Sequence, residues 1–328
     1  MIAFRTATRI DACNGPGSAL RLDVIGTAAT GAASYATSEV GLPVVCNIEP
    51  SSDLGPFISR LFVTTIDQGE DDIAEEIQFN EAAMVQVPLT GDWSWLSGTG
   101  EWRAFTGPML FGPRERAMPV RARGAAAIVG FAIRPSGWLA FDARPASAVV
   151  DTAEGIPDAW SAAFTHLPRM VDGHAAIIAA LENIASSRIA MTGRKADAKA
   201  AELEAMVRTE SNISVPQAAS HLAMTAWKFD QFVRRHFGHG PKVVLRRSRF
   251  LDMAGVIHGV ATEDTDALAP VRFYDASHLN REFRTFVAMT PGRFARANTP
   301  LLNAELAARQ ALFAHAAAAQ TGGYRSRF

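Results

Sequence analysis

Trp227, Gln231 and Arg234 recur at i, i+4 and i+7, the spacing that gathers side chains on one face of a helix. Lys228 and Arg235 flank this stripe and Asp230 borders it. The opposite face carries Phe229, Phe232, Val233 and Phe237, so burying it against a neighbour leaves the stripe in water. A large aromatic beside amide and guanidinium donors is unusual on an inert surface. In a major groove the amide and guanidinium can hydrogen-bond base edges or phosphates, and an indole can pack on thymine methyls or sugar. The bland alternative is that Trp227 closes a neighbouring helix contact and the arginines form a solvated face. A second copy decides between the two. Ser277, Arg281 and Arg284 repeat the spacing, bordered by Ala276 and Asn280 and lying opposite Leu279, Phe283 and Phe286, with Asp275 placed to cap the helix.

Two short helices and a connector must hold these stripes. Ser214-Val-Pro-Gln217 fits a capping box, in which the serine hydroxyl and the glutamine side chain satisfy amides left orphaned at a helix start. Val215, Ala218, Ala219 and Leu222 then give that helix one apolar stripe, Ala223-Met224 makes a turn, and Thr225 caps a second helix reaching Phe237. From about Lys242 to Ile257 a third helix, packed through Phe250, Met253, Ala254 and Ile257, joins the two units; Arg246 and Arg247 are expected on its exposed side, touching phosphate at most. Recognition helices on such a rigid connector can enter successive major grooves about 34 Å apart. Between Ile213 and Pro300 there are 12 Lys+Arg and 7 Asp+Glu, and 12 − 7 gives a local charge of +5. Residues 197–297 are therefore expected to bind duplex DNA by themselves.

At these residues the chain resembles the AraC/XylS family of bacterial transcription regulators. The resemblance rests on Ile213-Ser-Val through Gly238-His-Gly-Pro241, then on Arg272-Phe-Tyr-Asp-Ala-Ser-His-Leu-Asn-Arg-Glu-Phe-Arg284 and Met289-Thr-Pro291. It implies base-facing positions at Trp227, Asp230 and Gln231 in the first recognition helix and at Ala276, Ser277, Asn280 and Arg281 in the second. Departures are Gln231 in place of a common arginine, Val233 in place of a phenylalanine and Arg272 in place of a helix-breaking glycine. Pro270 interrupts the helix preceding the second recognition helix, which is expected to be short. The resemblance further implies double-stranded DNA as partner, with RNA polymerase, a small-molecule effector and a second protomer in a homodimer beside it.

Upstream the rhythm changes. Apolar bursts at Leu61 to Ile66, Ala83 to Leu89, Trp93 to Leu96, Met109 to Phe111 and Ala125 to Ile133 alternate with breakers such as Gly91-Asp92 and Gly112-Pro113, as in an all-β sandwich or barrel. Trp93, Trp95, Trp102 and Trp138 lie in this stretch and suit the wall of a ligand cavity, although aromatics also fill ordinary barrels. Pro50-Ser-Ser-Asp-Leu-Gly-Pro56 is similar to the start of the cupin-like sensor barrel of the same family. The expected fold class is multidomain α+β. An irregular extension (1–45) precedes a cupin-like β-barrel (46–156) for sensing and dimerisation and a helical connector (157–195). An all-α domain with two helix-turn-helix units (196–298) and an Ala-rich tail (299–328) follow. In the connector, Trp160, Phe164 and Leu167, then Ile177, Ile178, Leu181 and Ile184, can pair with the barrel or with another protomer.

Composition narrows the alternatives. Lys+Arg 32 against Asp+Glu 33 and 48% hydrophobic residues exclude wholesale disorder and a uniformly basic binder. Cys13 and Cys46 are the only cysteines, too few for an all-cysteine zinc site or a disulfide framework, and they suit a reducing cytoplasm. No apolar run approaches the roughly 18 to 20 residues of a membrane span. All 8 histidines lie at or after His166, so the strand domain lacks the imidazoles of a metal-dependent cupin enzyme. His236 and His239, flanked by Gly238 and Gly240, belong at a helix end, where they cap carbonyls. With no Walker loop, dinucleotide fingerprint or nucleophile elbow, a non-enzyme without cofactor or metal is expected, bacterial, cytoplasmic and associated with the nucleoid. A ligand-independent architectural DNA-binding protein is the runner-up, and a cupin enzyme with an appended helical domain comes third.

Overall fold

A computed structural model describes residues 41–167, 169–210, 212–260 and 276–322. The extension before residue 41, Asp275, Pro270 and Arg272 lie outside the described residues.

Among the described residues, eight antiparallel strands form one sheet: β1 (Pro43–Ile48), β2 (Ile58–Ile66), β3 (Ile73–Gln78), β4 (Met84–Leu96), β5 (Trp102–Ala104), β6 (Met109–Phe111), β7 (Met118–Ile133) and β8 (Ala153–Gly155). Its order is β1-β2-β7-β4-β6-β8, with β3 added to β7 and β5 to β4, so the sheet curls without closing. The spine is β7, whose second half pairs with β2 while its first half pairs with β3. The breaker at Gly91-Asp92 does not end β4: the register shifts there, Gly91 takes φ +73°, and a Cβ at that position would lie 2.6 Å from Ala126 Cβ. A bulge thus bends one long strand where two short ones were expected. The expected extension through residue 45 also gives way to β1, whose Val45 is buried.

Side-chain alternation along β2 and β7 separates the two faces. Leu61, Val63, Val129, Phe131 and Ile133 point to one face, which is covered by α1 (Trp138–Phe141), α2 (Asp158–Ser161) with the 3-10 turn after it (Ala162–His166), and α3 (His174–Thr192), through Trp138, Phe141, Trp160, Phe164, Ile177 and Leu181. The apolar stripe of α3 is therefore engaged by its own sheet. Helices α4 (Ala198–Thr209), α5 (Val215–His221), α6 (Ala226–Phe237) and α7 (Pro241–Ile257) enclose a second core of Leu203, Met206, Leu222, Phe229, Val233, Phe237 and Val244. A third joins α7 to α8 (Ala276–Val287), α9 (Pro291–Phe294) and α10 (Pro300–Gly322) through Phe250, Phe283, Phe286, Phe294, Leu302 and Leu306. The architecture is an N-terminal antiparallel β domain followed by an all-helical region.

The start of α10 is not a tail. Leu302 and Leu306 complete the α7–α8 core, while Leu301, Ala304 and Glu305, one helical face away, cover the second face of the sheet. Burial pushes the Glu76 carboxyl on β3 up to about 8, beside the Leu301 amide at 3.5 Å. A carboxyl raised above its unfolded value of 4.5 contributes stability in its protonated form, and that contribution is lost as pH rises through 4.5 towards 8. Stability should fall across this window, by an amount on the order of a few kcal/mol for a shift of this size. Glu76→Gln should flatten the dependence in melts at pH 5 and 9; an unchanged slope would assign it to other groups.

Candidate nucleic-acid interface

The capping box forms in both directions: Gln217 Oε1 accepts the Ser214 amide at 2.9 Å and Ser214 Oγ accepts the Gln217 amide at 3.4 Å. Ala223 turns the chain with φ +53°, and Thr225 Oγ1 accepts the Lys228 amide to start α6. Burying Phe229, Val233 and Phe237 fixes the rotation of α6, which leaves Trp227 71% exposed and Lys228, Gln231, Arg234 and Arg235 exposed with it. Phe232, expected in the core, is half-buried with its ring 4.7 Å from that of His236. Asp230 is half-buried and accepts from Arg234 Nε at 2.8 Å, so it steers the guanidinium one turn away.

On α8, Phe283 and Phe286 are buried while Ala276, Ser277, Arg281 and Arg284 are exposed. Asn280 is half-buried and donates through Nδ2 to the Ala276 carbonyl at 2.8 Å. Each helix thus presents a polar stripe at i, i+4 and i+7 with its aromatic face buried.

The connector corrects one expectation. Arg247 is buried at 2% exposure and donates through Nη1 to the Arg114 carbonyl at 2.9 Å; burial pushes its guanidinium down to about 10. Arg246 forms a fork on Glu282 of α8, with contacts of 2.9, 3.2 and 3.3 Å. Neither is an exposed phosphate contact, because α7 is enclosed by the sheet domain and α8. Sequence reasoning missed Glu282, a residue that is buried yet paired and ties α8 to α7. Its only signal was an acid on the buried side of a basic helix.

The sheet domain braces both units. His236 Nδ1 bonds the Pro135 carbonyl at 3.1 Å and Nε2 lies 3.6 Å from Asp197, while burial pushes His239 down to about 3. These histidines join the first unit to the sheet domain. At the second unit the Ala117 amide donates to the Phe286 carbonyl at 2.7 Å, and the Phe79 ring lies 5.8 Å from Phe250 and 6.2 Å from Phe286. Among the described residues no cluster of His, Cys, Asp or Glu could hold a metal ion, and no helix is long and apolar enough to cross a membrane.

The four tryptophans do not gather around one cavity. Trp93 lines a cavity of about 30 Å³ between sheet and α10, with Arg60, Phe62, Met84, Gln86 and Phe105. Trp95 packs in the neighbouring cluster, its ring 5.1 Å from Phe105 and 5.4 Å from Phe111. Trp102 is half-buried with the Arg121 guanidinium 4.2 Å above it. Trp138 belongs to the opposite face, donating to the Arg144 carbonyl at 2.7 Å.

No family model matches the chain, and no curated protein matches it. Among solved structures it is similar to an apo form of ToxT from Vibrio cholerae, at 7% identity over 72% of this chain and 96% of that one, with a TM-score of 0.42. It is similar also to unsaturated fatty acid-bound ToxT of the same organism, at 9% identity over 72% and 94% with a TM-score of 0.41. The AraC-like transcriptional activator CuxR aligns at 14% identity over 64% and 86% with a TM-score of 0.23. Likeness at this level carries no functional argument, and the reading of function rests on the residues of this chain.

Proposed function

We propose that this chain is a sequence-specific regulator of transcription of the AraC/XylS type, binding double-stranded DNA through α6 and α8. The observation that carries the reading is the duplicated stripe: Trp227, Gln231 and Arg234 on one helix and Ser277, Arg281 and Arg284 on the other, held apart by α7. Lys228 and Arg235 supply phosphate contacts beside the first stripe, and Ala276 and Asn280 border the second. The protein is a non-enzyme whose β domain receives a small molecule or a partner protein. Because the stripe of α3 is spent on the sheet, a homodimer requires another surface or a rearranged α3.

Trp227→Ala should cost about 1 to 3 kcal/mol of affinity for its preferred site and relax preference at one position, because a base contact is lost. Its exposure makes the fold indifferent to the change, so melting should be unaltered. The test is titration of intact protein into promoter fragments from its host at several salt concentrations. Affinity should fall steeply as salt rises, since phosphate contacts release counterions. A Trp227→Ala protein with unchanged affinity and base preference would make the indole a bystander, and absence of binding to every fragment would refute the reading.

A further inference from the structure

The cavity between sheet and α10 is about 30 Å³, whereas pockets for organic ligands enclose roughly 300–1,000 Å³. An effector on this face therefore needs the space that α10 fills. The same helix is a structural part of the second helix-turn-helix unit, because its two faces are committed to different domains.

Towards the sheet, Leu301, Ala304 and Glu305 cover the cavity. Asn47 Nδ2 on β1 donates to the Ala304 carbonyl at 3.1 Å, Glu305 accepts the Phe79 amide at 2.8 Å, and Arg60 Nη2 on β2 lies 3.5 Å from the Glu305 carboxylate. Towards the helices, Leu302 and Leu306, at 0% and 1% exposure, lie in one cluster with Phe250, Phe283 and Phe286. One turn on, Arg309 joins both sides. It meets Glu81 of the β3–β4 loop at 2.6 Å, Asp252 of α7 at 3.1 Å and the Ser248 hydroxyl at 2.6 Å. Arg208 of α4 reaches Glu81 at 3.2 Å and Glu204 at 2.9 Å. Burial pushes the Glu81 carboxyl up, but Arg309, Arg208, Arg247 and Arg60 overcome it and hold the group at about 2. A buried charge of this kind is strongly destabilising once its partner is removed.

We infer that α10 is the transmission element of the protein: docked, it fills the effector space of the sheet and completes the second DNA-reading unit, and displaced from the sheet it withdraws Leu302 and Leu306 from beneath α8. Effector on the sheet and an intact second unit then exclude one another. A two-site operator is held when the sheet is empty and released to single-site affinity when it is occupied. The inference rests on the regulatory reading in placing the effector on this face, but its structural half can be tested without DNA.

Ala304→Phe puts a ring where a ligand would press, and Glu81→Gln weakens the latch from the sheet side. Hydrogen exchange of the full-length variants should show amide protection falling at least tenfold in both α10 and α8, with α5 and α6 unchanged. On DNA carrying two half-sites both variants should fall to the affinity measured on a single half-site. Loosening of α10 with α8 protection unchanged would overturn the inference and leave the DNA reading standing. Wild-type protein that binds no DNA, with α8 and α10 still exchanging together, would overturn the DNA reading alone. If neither variant loosens α10, the latch is not at these residues and the inference fails.

Discussion

Ending the chain at residue 298 should melt the second helix-turn-helix unit while the first remains folded. The truncation removes Leu302 and Leu306, at 0% and 1% exposure, from the cluster around Phe250, Phe283 and Phe286, and it strips Glu81 and Asp252 of Arg309. Removing one buried leucine side chain costs about 2 to 5 kcal/mol, and whole domains are stable by only about 5 to 15 kcal/mol. The isolated 197–297 fragment, which sequence alone suggests as a self-sufficient DNA binder, lacks α10 and also Phe79 from the sheet domain. It should bind through the first unit only. Thermal melts and exchange protection of α8 in chains ending at 298 and 322 make the comparison; equal stability would mean that the second unit has a sufficient core without α10.

The largest single-residue effect should come from Phe250→Ala, at about 3 to 5 kcal/mol in urea denaturation. Its ring is fully buried and lies 4.8 Å from Phe286, 5.0 Å from Phe283 and 5.8 Å from Phe79. These neighbours come from α8 and from the sheet domain, so no single element can collapse into the hole without moving the others. A cost below about 1 kcal/mol would show a site able to repack. The contrast with Trp227→Ala is the useful one, because that change should alter base preference and leave stability alone.

The exposed stripe of α6 was legible because helix periodicity is a local property. The spacing of Phe229, Val233 and Phe237 decides the rotation of α6, and with it the exposure of Trp227, Gln231 and Arg234. The caps at Ser214 and Thr225 could be read for the same reason. What escaped depends on long-range packing. Arg247 is of a residue type usual at the surface and is buried because α7 packs back onto the loop between β6 and β7, where the Arg114 carbonyl accepts from it. The early part of α10 reads as low-complexity sequence, yet its leucines are spaced to serve one core and Ala304 and Glu305 another surface. The tryptophans read as one aromatic wall because sequence does not reveal on which side of the sheet each lands; Trp93 and Trp138 lie on opposite faces. Gly91-Asp92 reads as a turn, although Ala126 packs against it as a bulge inside β4.

Selection of preferred sites from random duplex DNA by the intact protein tests the central claim most directly. Two half-sites about one helical turn apart should be enriched, since two reading helices on one rigid connector face successive grooves. Trp227→Ala should relax preference at one position of one half-site and Arg281→Ala at one position of the other. Enrichment of no sequence, or identical profiles from wild type and both variants, would contradict the assignment of α6 and α8 as reading helices.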